Sequence, residues 1–174
     1  MNFFKRYKGY FIIFLVVLIS VSIFFFRDQL IYLQSLGYLG IFLISAIGNA
    51  TIVLPVPAFV TTFIGGAFLN PVLVAVVSSF GATLGELTGY MAGIGGKEFV
   101  KKDKRIKKVE KWMKKYGLWA LFVLAVIPNP AFDLAGIVAG ATKVPVYKYI
   151  VVVWVGKFIK FLVISYLGAG LLNN

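Results

Sequence analysis

The chain has 174 residues, 60% of them hydrophobic and 14% charged, and its mean hydropathy is +0.93. A soluble domain keeps roughly a quarter of its residues charged, so this composition excludes an ordinary soluble globule, a disordered chain and a porin-type barrel of alternating polarity. It leaves a single all-α integral membrane domain. Cys and His are both absent, which excludes disulfides, Cys/His zinc sites, His-ligated haem and His-based triads, so no metal or other cofactor is expected.

The basic start Lys5-Arg6-Lys8 precedes an apolar run, Tyr10 to Phe26. No small-x-small cleavage site follows Phe24-Phe25-Phe26, so an uncleaved anchor over residues 1–36 is expected rather than a signal peptide. Residues 29–85 carry no charge; at about 1.5 Å per helical residue this is nearly three crossings of a ~30 Å hydrocarbon core. Within it, Gly37 to Leu69 is broken by Gly48-Asn49, by Pro55 and Pro57, and by Gly65 and Gly66, whereas Val72 to Gly93 predicts one clean helix after Pro71. Residues 97–115 then hold ten of the 18 basic residues against three acids. Gly117 to Thr142 is apolar but interrupted at Pro128-Asn129-Pro130, with a further hinge at Gly140, and Val146 to Leu167 forms the last span after Pro145.

Basic segments stay in the cytoplasm. With the N-terminus and residues 97–115 both inside, residues 37–69 must cross an even number of times. A re-entrant hairpin turning near Pro55-Val56-Pro57 satisfies that parity, and it places non-helical backbone where protein or a wet cavity must cover it. The C-terminus is then outside, in a multi-pass protein of the plasma membrane. The second half repeats the first. Pro57-Ala58-Phe59 recurs as Pro130-Ala131-Phe132, Gly66-Ala67 before Pro71 as Gly140-Ala141 before Pro145, and Asn49 as Asn129. The expected fold is an inverted repeat of two re-entrant helical hairpins, each followed by a full transmembrane helix (37–96 and 116–174), plus the N-terminal helix. Such repeats place the substrate near the midplane, where the broken helices meet.

Four charges fall well inside apolar spans: Glu86, Asp133, Lys157 and Lys160. Each costs about 2.5–3.5 kcal/mol at a helix centre, so they must pair or line water. Asp133 follows Pro128-Asn129-Pro130 in the first turn of a returning half-helix, where carboxylates are favoured and free N–H groups bind anions; Asn129 is a candidate cap. Gly81, Gly85, Gly89 and Gly93 form a small-residue stripe, read as internal packing against a half-helix, with a homo-oligomer contact as the alternative. Glu86 beside that stripe is a candidate proton site. Lys157 and Lys160 share a helical face and either meet a substrate anion or form internal ion pairs. Phe99, Ile106, Val109, Met113 and Tyr116 make an amphipathic stripe expected to lie on the anionic inner leaflet. Hemmed between spans, that segment is not expected to bind nucleic acid.

Pro55-Val56-Pro57, Gly65-Gly66, Gly85-Glu86-Leu87-Thr88-Gly89-Tyr90-Met91-Ala92-Gly93, Lys115-Tyr116-Gly117, Ile127-Pro128-Asn129-Pro130-Ala131-Phe132-Asp133 and Tyr166-Leu167-Gly168 together resemble the DedA family, also called the VTT or SNARE-associated membrane domain. The resemblance covers about residues 35–170. It implies lipid translocation: recycling of undecaprenyl phosphate and proton-dependent envelope homeostasis in bacterial members, phospholipid scrambling in eukaryotic relatives. Many bacterial members carry an acid in the first re-entrant segment and arginines in the second. This chain has neither, and looks like a variant with an Asn-Pro-x-Phe-Asp second motif. The expected function is a non-enzymatic lipid translocase or scramblase, either proton-linked or passive. Its partners would be membrane lipids with anionic headgroups. The alternative is a proton- or ion-coupled solute transporter or channel built on the same hairpins.

Overall fold

The computed structural model describes residues 36–50, 56–95, 104–128 and 131–172. The expected N-terminal anchor, Pro55, residues 97–103, Asn129 and Pro130 lie outside the described residues. The described chain forms helices α1 (Tyr38–Ala50), α2 (Val56–Phe68), α3 (Pro71–Gly95), α4 (Lys104–Tyr116), α5 (Leu118–Val126), α6 (Ala131–Ala141) and α7 (Val146–Leu172), with no strand among the described residues. At 25 and 27 residues, α3 and α7 are long and apolar enough to cross a membrane. The apolar helices α1, α2, α5 and α6 have 9 to 13 residues. At about 1.5 Å per residue they reach at most ~20 Å and end partway through a ~30 Å core.

Local chemistry sets the boundaries. Asn70 caps α3, its Oδ1 accepting from the N–H groups of Val72 at 3.0 Å and Leu73 at 3.1 Å, with Pro71 at the first helical position where its missing N–H costs nothing. The α6 helix ends in a Schellman motif: the Val144 N–H donates to the Ala139 carbonyl at 2.9 Å and the Lys143 N–H to Gly140 at 3.1 Å. Lys143 takes the left-handed position, φ 57°, normally given to glycine. Between α4 and α5, Gly117 adopts φ 59°, ψ −136°, a region closed to residues with a Cβ. Two opposite results follow for melting in detergent. Gly117→Ala should lose about 1–3 kcal/mol, whereas Lys143→Gly should gain about 0.5–1 kcal/mol by relieving a left-handed L-residue.

Two expected interruptions are not interruptions. Gly48-Asn49 lie inside α1 and Gly65-Gly66 inside α2, while Gly140 belongs to the last turn of α6. Glycine weakens a helix mainly where water competes for its backbone. In apolar surroundings the helical hydrogen bonds have no competitor, and the missing side chain serves close packing instead. A Cβ on Gly66 would run into the Ser165 carbonyl, and one on Gly168 into that of Phe63. In the other half, Gly140 meets the Tyr90 carbonyl and Gly93 that of Ile137. Thus α2 packs on α7 and α6 on α3 through matching reciprocal glycine contacts, while α1 lies along α3, α5 along α7, and α3 against α7. Gly81 and Gly85 admit the Phe42 and Ala46 carbonyls of α1, and a Cβ on Gly89 would stand 3.8 Å from the Asp133 carbonyl of α6. The stripe is therefore occupied from within the chain.

Polarity is distributed inside out. Leu73, Phe80, Leu84 and Met91 of α3 and Val151, Val155, Ile159 and Val163 of α7 are exposed. Ser45, Thr62, Ser78, Ser79 and Ser165 are buried. The Thr62 hydroxyl bonds the Ala58 carbonyl at 2.7 Å and lies 2.8 Å from the Ser78 hydroxyl. An apolar exterior over small polar residues, of which Thr62, Ser78, Ser79 and Ser165 are hydrogen-bonded, is how membrane helices associate, since lipid offers no hydrophobic drive between them. The amphipathic helix α4 departs from expectation. Ile106, Val109 and Met113 are buried in a cluster with Ala120, Leu121 and Val138, against α5 and α6. These three residues of the apolar stripe are thus covered by protein, Tyr116 is exposed, Phe99 lies outside the described residues, and Lys107, Lys108, Lys111, Lys114 and Lys115 face out.

Candidate functional site: a buried charge cluster

Glu86 lies in the inner part of α3, one residue after Gly85, where the chain approaches Asn49 and Ala50 of α1. Lys157 lies in α7, one residue after Gly156, which is pressed against Ala125 of α5. Each charge follows a glycine that draws a short helix onto a long one, so each is sealed from lipid. The Lys157 Nζ donates to Glu86 Oε1 at 2.9 Å and to Asn49 Oδ1 at 2.8 Å. The pair is almost wholly buried, Lys157 at 1% and Glu86 at 5% exposure. Asn49 is oriented in turn, its Nδ2 donating to the Ser45 carbonyl at 2.8 Å. The Tyr149 hydroxyl donates to the Glu86 carbonyl at 3.4 Å, linking α7 to α3 a second time.

One turn along α7, Lys160 is 8% exposed. Its ammonium faces three rings, Phe59 of α2 at 5.5 Å, Phe132 of α6 at 5.9 Å and Phe161 at 5.5 Å; the Lys157 ammonium lies 5.0 Å from Phe132. Among the described residues, no carboxylate comes within ion-pairing distance of Lys160. A lysine at a helix centre costs about 2.5–3.5 kcal/mol, and facing rings offset about 0.5–2 kcal/mol each. The rings supply no acceptor for the ammonium hydrogens. Asp133, in the first turn of α6, is half-buried and lies within electrostatic reach of Glu86, Lys157 and Lys160.

The four intramembrane charges picked out in the sequence therefore converge on one neutral-sum cluster where α1, α2 and α6 meet α3 and α7. Pro128 follows Ile127, the C-cap of α5. Pro57 lies in the first turn of α2, and its side chain, like Asn129 and Pro130 entirely, is outside the description. Charge counting missed Asn49, Phe59, Phe132 and Tyr149. The signal for three of them was the repeat: Asn49 is the counterpart of Asn129, and Phe59 and Phe132 close the two Pro-Ala-Phe triplets.

The VTT domain model matches residues 56–170, a stretch containing Glu86, Asp133, Lys157 and Lys160. The chain belongs to the VTT-domain, or DedA, family. It is 35% identical over 137 residues to the uncharacterized membrane protein YbfM of Bacillus subtilis, covering 71% of this chain and 83% of that one. It is 27% identical over 104 residues to the vacuole membrane protein KMS2 of Arabidopsis thaliana, covering 49% of this chain and 25% of that longer protein. No solved structure matches the chain. As a VTT-domain membrane protein, it places its buried charges where short and long apolar helices meet. Asn49, which holds Lys157, lies ahead of the matched stretch.

Proposed function

We propose that this VTT-domain protein is a lipid translocase or scramblase that passes a phospholipid or polyprenyl-phosphate headgroup through a polar groove near the midplane while the acyl chains stay in the bilayer. The observation that carries the reading is the buried cluster of Glu86, Asp133, Lys157 and Lys160 at the ends of helices too short to span. Intramembrane ionisable groups gathered at broken helices mark a translocation path by default. The reading takes α1–α2 and α5–α6 as re-entrant hairpins of an inverted repeat, supported by the crosswise packing of α2 on α7 and α6 on α3. The N-terminus and residues 97–115 are then cytoplasmic and the C-terminus outside, in the plasma membrane, with Asn129 to Asp133 as a variant second motif. No covalent chemistry is assigned to the cluster.

The test is reconstitution into liposomes. Dithionite quenching of fluorescent lipids with anionic and zwitterionic headgroups should exceed that of empty liposomes, while swelling in small polar solutes should not. Swelling without lipid movement would replace this reading with that of a solute channel. Where lipid moves, a rate that changes with pH and loses that dependence in Asp133→Asn marks proton linkage, and a flat profile marks a passive scramblase.

A further inference from the structure

The two lysines of α7 are chemically unequal. Lys157 is satisfied by Glu86 and Asn49 at 2.9 and 2.8 Å. Lys160, at 8% exposure, lies within electrostatic reach of Asp133 and Glu86, yet among the described residues it makes no hydrogen bond and meets aromatic faces. Two of those faces are repeat counterparts: Phe59 and Phe132 end the two Pro-Ala-Phe triplets and come from different short helices, α2 and α6. Two residues equivalent in the sequence repeat thus come together over one ammonium that has no hydrogen-bond acceptor among the described residues. An ammonium carries three donors, and a ring face offers charge complementarity without a directional acceptor. The missing complement is a small oxyanion.

We infer that Lys160 is the receptor for a single phosphate group, roofed from two sides by Phe59 and Phe132, and that Lys157 is a structural cation that takes no part in binding it. This rests on the translocase reading and deepens it. The ligand chemistry is a phosphate oxygen, carried by a lipid headgroup or by free phosphate. A fixed pair next to an ammonium without a hydrogen-bond acceptor explains why two lysines one turn apart coexist in a span: one holds α1, α3 and α7 together, and the other awaits the anion.

Binding tests this without any transport assay. Purified protein in a neutral maltoside detergent is melted with dihexanoyl phosphatidic acid, with dihexanoylglycerol as its phosphate-free counterpart, and with inorganic phosphate. A ligand that binds only the folded state raises the melting temperature. The phosphate-bearing lipid should raise it, dihexanoylglycerol should not, and Lys160→Met should abolish the shift while itself melting much nearer the parent than Lys157→Met does, because it breaks no ion pair or hydrogen bond among the described residues. Lys160→Gln gives the same reading should Met not be accommodated, and Lys160→Arg should keep the shift. The double variant Glu86→Met with Lys157→Met should also keep it. A shift that survives in Lys160→Met, or is equal for dihexanoylglycerol, overturns the receptor. Inorganic phosphate acting as strongly as the lipid supports the receptor and assigns its anion to the free ion, which removes the headgroup contact from the translocase reading. Loss of lipid flipping activity with the binding pattern intact would fail the transport reading alone. For the roof, Lys160→Cys in this cysteine-free chain is labelled in sealed vesicles with an anionic impermeant thiol reagent. Phe59→Ala should accelerate labelling from one side and Phe132→Ala from the other; acceleration from the same side by both overturns the two-sided roof.

Discussion

Lys157→Met should be among the most damaging single substitutions in the chain, lowering stability by about 3–5 kcal/mol, and Glu86→Met should approach it. Each leaves one charge of a pair that is 1% and 5% exposed without its partner. Lys157→Met should be the worse of the two. It strands the Glu86 carboxylate, whereas Glu86→Met leaves the Lys157 ammonium still bonded to Asn49 Oδ1 at 2.8 Å. The double variant should recover most of the loss, because apolar residues of similar volume replace a buried ion pair with little net cost. A double-mutant cycle by thermal melting in detergent measures this, with a large favourable coupling expected. Additive losses would mean that the two side chains stabilise the fold independently, and the ion pair would then not organise the cluster. Lys160→Met in the same experiment separates the two lysines, since it breaks no ion pair or hydrogen bond among the described residues and its melting temperature should fall far less than that of Lys157→Met.

Gly66→Ala and Gly140→Ala should each cost more than about 3 kcal/mol or abolish the folded state, although each adds one methyl group. The added Cβ would meet backbone, the Ser165 carbonyl for Gly66 and the Tyr90 carbonyl for Gly140. Backbone cannot swing aside as a long side chain can, so the helices must separate. Separation at either place pulls a short helix off the long helix it crosses and shifts a ring of the Lys160 enclosure, Phe59 on α2 or Phe132 on α6. Gly95→Ala is the control within α3, since among the described residues nothing lies within 4 Å of its Cβ position; it should melt like the parent. Equal, small effects at all three positions would show that the close helix approaches are not needed for stability.

Hydropathy and proline placement were enough to outline α3, α5, α6 and α7, because a long apolar run and a missing N–H are local facts. The run from Val72 to Gly93 is α3 within two residues at either end, and Pro128-Asn129-Pro130 separates α5 from α6. The burial penalty of a charge was likewise enough to single out Glu86, Asp133, Lys157 and Lys160. Partner choice was not legible. Lys157 and Lys160 have the same local sequence character, and only the arrival of α1 and α3 at one of them, and of two phenylalanines at the other, makes one a fixed ion pair and the other a caged cation. Gly65-Gly66 illustrates the same limit: a glycine pair reads as a hinge or as a close contact depending on what lies opposite, and here Gly66 meets the backbone of α7 at Ser165 while Gly65 meets the side chains of Ile41 on α1 and Val74 on α3. In α4 the 3.6-residue apolar stripe determined that one face must be covered. Whether lipid or protein covers it was decided by α5 and α6 folding back beneath it, because hydrophobic surface is non-directional and names no partner of its own.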